Sequence, residues 1–201
     1  MNFLAHCALA DLTEETDHGV IAGGVLADFH RGAVPDDWPG ALKLGVRLHR
    51  RIDAFSNRHP SVVASCQRFP AHLRRLAPIF VDIHADRSLS LAWARYHPEG
   101  LADFAQRCYH AIEHVEPQRR GLPPSALRFL SYMREEDLLA NYAEWLHLER
   151  GVASVRRRLK RPMDALEVVD TLRRLDGALA QDFADYFPDL IAEARTFTAA
   201  Q

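Results

Sequence analysis

Cysteine is scarce in this sequence. Its 201 residues hold three, Cys7, Cys66 and Cys108, widely spaced and odd in number. That excludes a disulfide framework and a paired-cysteine zinc site, and it fits a reducing, cytoplasmic setting. Long apolar runs are missing: no stretch approaches the ~20 residues of a spanning helix, so no membrane association is expected. The first eleven residues look faintly like a signal peptide, but they lack a basic start, carry His6, and stop being apolar at Asp11. Neither sign of charge dominates. Lys and Arg total 25 against 27 Asp and Glu, a net charge of -2, which gives no ground for nucleic-acid binding. Strand-like alternation, internal repeats, low-complexity tracts, and the GxSxG, phosphate-loop and GxGxxG motifs are also absent.

What is present is helical periodicity, almost throughout. The spacing predicts helices over about 2–10, 18–30 and 41–57, with a Pro-, Gly- and Asp-rich loop over 31–40. A short helix ends near Pro70, and a long one covers 71–96 with a kink at Pro78. After a break at 97–100 another helix reaches about Val115. The 116–124 segment reads as a linker with Ser125 as the next N-cap. Helices follow over 125–135, 137–149, 151–160 and 163–186, and Pro188 opens a terminal segment. The length suits one good core, and neither side of the 116–124 loop looks self-sufficient. The expectation is one all-α domain over 1–201, a multi-helix bundle.

Ionisable residues recur where core residues belong. Leu42, Val46, His49 and Asp53 share one helical stripe. Ile21, Val25 and Asp28 form a second, and Ile79, Asp82, Asp86, Leu89 and Trp93 a third. Phe3, His6 and Ala10 form a fourth. One inward Asp or His is commonly a cap or a satisfied core residue. Several carboxylates, however, cannot share a dry interior without a cation, because like charges force protonation. Arginines could supply the positive charge as a structural network. A divalent metal is the simpler answer, and carboxylate oxygen with imidazole nitrogen suits Mn²⁺, Mg²⁺, Fe²⁺ or Zn²⁺. His72, His97, His110, His114 and His147 read as surface residues. Trp93, Phe129, Tyr132, Trp145, Phe183 and Phe187 read as core.

Four ordered blocks then carry a resemblance. Met1-Asn2-Phe3-Leu4-Ala5-His6, Gly24-Val25-Leu26-Ala27-Asp28-Phe29-His30-Arg31-Gly32, His49-Arg50-Arg51-Ile52-Asp53 and Arg74-Arg75-Leu76-Ala77-Pro78-Ile79-Phe80-Val81-Asp82 together resemble the acyl carrier protein phosphodiesterases. The resemblance implies an all-helical fold distantly related to HD phosphohydrolases. It implies Mn²⁺-dependent removal of 4′-phosphopantetheine from the serine of holo-acyl carrier protein. By motif position it makes Asp28 the catalytic aspartate and places His6, His49, Asp53 and Asp82, with Asp28, in the metal shell. One departure stands out: where the family commonly reads Asp-x-x-x-Asp-His, this chain has Arg87 after Asp86, and a histidine, His84, two residues before it.

The mechanism expected from these residues has the metal polarise a phosphoryl oxygen and acidify a water. Asp86 is expected to be uncommitted and to orient that water. Of the adjacent Arg50 and Arg51, one clamps the phosphate and the other faces outward. Arg31, Arg47, Arg51, Arg74 and Arg75 form a candidate docking face for an acidic carrier protein. The competing expectations are an HD-like phosphohydrolase acting on a nucleotide or other small phosphate, and a non-catalytic module binding acidic proteins.

Overall fold

The computed structural model describes every residue except Met1, Glu14, Thr16, 116–120 and 160–162. Among the described residues there are ten α-helices and no strand. They are α1 Phe3–Asp11, α2 His18–Leu26, α3 Gly40–Ser56, α4 Pro60–Gln67, α5 Ala77–Leu91, α6 Trp93–Tyr96, α7 Leu101–His114, α8 Pro124–Glu135, α9 Trp145–Arg158 and α10 Ala165–Ala199. A 3₁₀ turn, Ala27–Phe29, follows α2. The all-α expectation is met. Most of the linker expected over 116–124 lies outside the described residues.

Prolines explain most of the boundary differences. Pro78 does not kink a long helix; it sits in the first turn of α5, where its missing N–H costs nothing, and 71–76 form turns. Pro124 likewise opens α8, so Ser125 lies inside that helix rather than capping it. The helices expected over 137–149 and 151–160 are replaced by turns through 136–144 and one helix, α9. Asp137 takes a left-handed φ of 45°, which ends the helical path there. The helix expected to stop at 186 instead runs through Pro188 to Ala199. An internal proline costs about 3 kcal/mol. Phe183, Tyr186, Phe187 and Leu190 are all fully packed around it, and burial worth ~1.5–3 kcal/mol per side chain offsets that cost.

α10 packs along α1, α3, α4, α5 and α9, and α2 lies across α3. The α2–α3 contact sets the geometry of everything below. A Cβ on Gly45 would lie 2.2 Å from the Val20 carbonyl oxygen, and one on Gly23 would lie 2.5 Å from that of Leu42. Only bare glycine backbones allow this approach. Among the described residues no helix is long and apolar enough to cross a membrane.

Candidate active site

The close approach of α2 and α3 delivers His49 onto the last turn of α2. Its Nδ1 donates to the Gly24 carbonyl, 2.7 Å away. That bond fixes the ring, so Nε2 is the nitrogen turned toward the carboxylates. Nε2 lies 3.3 Å from Asp53 Oδ2, one turn along α3, and 3.7 Å from Asp28 Oδ1 in the 3₁₀ turn. From α1, His6 stacks on His49 with ring centroids 3.7 Å apart, and its Nε2 lies 3.2 Å from Asp53 Oδ1. Two imidazole nitrogens from different helices thus converge on one carboxylate. The ligand atoms of His6, His49 and Asp53 lie within 4.8 Å of one another, so the three could hold a metal ion.

Electrostatics distinguish the members. His6 is wholly buried, and burial with the neighbouring His49 pushes its pKa down to about 3, so it is a neutral imidazole. Burial also disfavours charge on His49, but hydrogen bonding to Asp53 and the charges of Asp28 and Asp53 prevail and raise its pKa. The carboxyl of Asp53 would be raised by burial, yet the two imidazoles hold it well below the usual carboxylate range. Asp28 moves the other way: desolvation raises it, with Asp53 and Asp82 adding repulsion, although 41% of its side chain meets solvent. Asp82 on α5 is also raised, by burial first and then by Asp53. The carboxylates of Asp28 and Asp53 thus face His49 and raise the affinity of its Nε2 for a proton. A cation and that proton would compete for one position. Once the proton leaves, the Gly24 bond keeps Nδ1–H in place and Nε2 offers its lone pair, the arrangement in which metal-binding histidines are commonly held.

The other expected site residues divide. The carboxylate of Asp86 is not uncommitted. It is fully buried and accepts from the amides of Leu4 and Ala5, both at 3.0 Å, so it satisfies the first turn of α1, whose N-cap residue Asn2 makes no side-chain cap. Arg50 reaches back to the His30 carbonyl at 3.1 Å, beside the turn carrying Asp28, while Arg51 pairs with Glu193 at 2.5 Å. Arg47 contacts Gln201 and Arg74 the Phe69 carbonyl; Arg31 and Arg75 are exposed and pair with nothing among the described residues. Arg87, at the departure from the family pattern, donates to the Ala143 carbonyl and stacks on Trp145, and with His84 it engages Asp176. That network ties α5 to α10 and to the start of α9, with none of the clustered residues in it.

Three features escaped the sequence. His97 is buried, not superficial, and bonds Asp11 at 2.9 Å. Asp28 is on an open turn rather than an inward stripe. Phe3, Phe29 and Phe129 form an aromatic wall beside the site, with Phe3–Phe129 centroids 5.0 Å apart; the glycine spacing of α2 and α3 was the one signal that could have located the site's floor.

The family model described as acyl carrier protein phosphodiesterase matches residues 1–190. The chain belongs to that family. An acyl carrier protein phosphodiesterase of Enterobacter sp. (strain 638) is 33% identical over 199 residues, covering 97% of this chain and 98% of the relative. The acyl carrier protein phosphodiesterase of Escherichia coli O139:H28 is 34% identical over 201 residues, covering 96% and 97%. That of Escherichia coli K12 (DH10B) is similar to the same extent. No solved structure matches the chain.

Proposed function

We propose that this protein hydrolyses the phosphodiester of holo-acyl carrier protein with a divalent cation at the His6–His49–Asp53 cluster, Mn²⁺ being the ion that the family resemblance implies. The observation that carries the reading is the convergence of two imidazoles on Asp53 beside Asp28, on the segments that bear the family's blocks. His6, His49, Asp53 and Asp28 would hold the cation, with Asp82 behind them; nitrogen and oxygen donors without thiolate suit Mn²⁺, Fe²⁺ or Zn²⁺. When bound, the cation supplies Lewis acidity to the phosphoryl group and to water.

The chain's own residues do the rest. Asp28, with part of its carboxylate open to solvent and its proton affinity raised, is placed to accept a proton from attacking water. Arg50, on the rim by His30, is the candidate phosphate clamp, while Arg51 faces away toward Glu193. Water adds hydroxyl to phosphorus, the bond from phosphorus to the serine oxygen breaks, and that oxygen takes up a proton. The products are 4′-phosphopantetheine and apo-carrier protein. Asp86 acts in this scheme by holding α1, and hence His6, rather than by touching water. The exposed Arg31, Arg47 and Arg75 offer an acidic carrier protein a first electrostatic contact. Three free cysteines accord with a cytoplasmic setting.

The test is incubation of holo-acyl carrier protein with the protein and Mn²⁺, read by intact mass. Loss of the prosthetic group is expected, and its retention at every divalent cation tried would overturn the reading.

A further inference from the structure

A cleft of about 430 Å³ opens between α1, α8 and α9, within the ~300–1,000 Å³ typical of small-molecule sites. The cluster residues do not line it. Its walls are Phe3, Ile83, Phe129 and Tyr142. Phe3 stands one helical turn before His6 on α1, so the cleft begins about 5 Å along the helix from the metal-binding cluster. Phe29, next to Asp28, stacks on Phe3 at 6.2 Å and packs at a tilt against Phe129 at 5.8 Å, so aromatic surface runs without a break from the catalytic turn to the cleft.

One further observation concerns the occupant. At the mouth stand Arg128, Arg157 and Arg158, all exposed and none paired with a carboxylate among the described residues. An apolar trough with positive charge outside suits a ligand that is largely apolar along its length and attached to an acidic body.

We propose that this cleft holds the pantetheine arm of the carrier-protein substrate, while the phosphodiester lies at the cluster. The proposal rests on the function given above. The arm carries a gem-dimethyl group for the Phe3–Phe129 wall, two amides, and a thiol, and the arginines of the mouth face the carrier protein's acidic surface. Recognition of the arm then separates this substrate from diesters that lack it.

The probe is pantetheine itself, without phosphate or protein, followed by saturation-transfer NMR and titration. The wild-type protein is expected to bind it. Ser154→Trp, which fills the cleft from α9, is expected to weaken binding at least tenfold and to raise KM for holo-carrier protein more than it lowers kcat. Phe129→Ala, which removes part of the aromatic wall, is expected to weaken binding several-fold. Thr196→Trp, on the exposed face of α10, serves as the control and should bind as wild type does. Pantetheine that fails to bind, or binds equally to both cleft variants, overturns the proposal. If holo-carrier protein is cleaved with a KM that neither variant moves, the cleft assignment fails and the proposed reaction stands. If pantetheine binds as described but holo-carrier protein is never cleaved, the cleft stands and the proposed reaction fails.

Discussion

Two groups of histidine and carboxylate in this molecule have almost the same composition and opposite surroundings. His6, His49 and Asp53 form one; Asp11, His97 and Glu99 form the other. In the second, Arg107 grips Asp11 through both terminal nitrogens, at 2.5 and 2.9 Å, and Glu99 at 2.6 Å, and His97 completes the set, stacked on Trp93 and tilted against Phe104. Its positive charge is built into the chain. In the first, the arginines of the same helix bond other groups: Arg50 reaches the His30 carbonyl at the rim and Arg51 pairs with Glu193, while the charges of Asp28 and Asp53 raise His49. Identical ligand types therefore say little until the source of the positive charge is found. A group whose carboxylates a guanidinium already grips has little to offer an added cation, whereas two imidazoles converging on one carboxylate present donors that could hold one.

The sharpest break of that comparison is functional. His49→Ala should lower turnover of holo-carrier protein by more than the ~10–100-fold that loss of an outer-shell partner costs a metal site, and calorimetry should show divalent-cation binding lost with helical circular dichroism retained. Asp11→Asn should leave turnover as it is. Full activity in His49→Ala, or loss in Asp11→Asn, would invert the assignment of the two groups.

Next in size are the supports of the first group. Gly45→Ala forces a Cβ against the Val20 carbonyl. Overpacking of this kind costs about 3 kcal/mol, a fall in Tm of roughly 6–12 °C for a chain this long. Asp86→Ala strips the acceptor from two buried amides, at about 1–3 kcal/mol each. Its signature is a lowered Tm, with kcat restored as the sample is cooled well below the transition. A stable but inactive Asp86→Ala protein would return that carboxylate to the chemistry.

Smaller still, Arg107→Ala should convert the second group into a likeness of the first. Asp11, Glu99 and Arg107 are each partly screened by water, so the loss is about 1–2 kcal/mol, below the 3–5 kcal/mol of a fully buried pair. Added Mn²⁺ should recover part of that Tm. No recovery would mean that geometry, and not only charge, separates the two groups.

The smallest effect is the response to acid. Burial pushes the Asp11 carboxyl up, but Arg107 and His97 outweigh it and hold its pKa below its ordinary value near 3.8. As pH falls below about 3.8 the unfolded chain takes the proton first, so the stability this carboxylate provides is present above that pH and is lost below it. Asp11→Asn should be less stable near neutrality yet lose less on acidification between pH 4 and 2, as urea midpoints would report.

The parts of the site legible in sequence were those whose logic is local. His49 and Asp53 sit four apart on a helix, and that spacing alone brings them together. Asp28 came from its motif, but the 3₁₀ turn that opens it to water ends a helix whose apolar pattern runs on unbroken, so periodicity carried the helix too far. A stripe gives the direction of a side chain and not its partner, which is why Asp86 looked free although the start of α1 claims it. His97 precedes a proline at a helix break, a setting that usually means surface, and only the fold of α1 against α7 brings Asp11 and Arg107 to it. The helix through Pro188 is a tertiary override of a strong local signal. The cleft was out of reach because its walls read as core aromatics on separate helices.

His6, Asp28, His49 and Asp53 all lie before residue 57, and the contact between His6 and Asp53 spans only 47 positions. Asp86, which satisfies the start of α1, lies 82 positions from Leu4. During synthesis, when N-terminal segments emerge and fold first, α1, α2 and α3 can meet and bring these four side chains together while α5 is still unmade. The early three-helix assembly would hold these side chains loosely, with the first amides of α1 turned to water until α5 docks, so the geometry of the site is expected to sharpen along with the nascent chain.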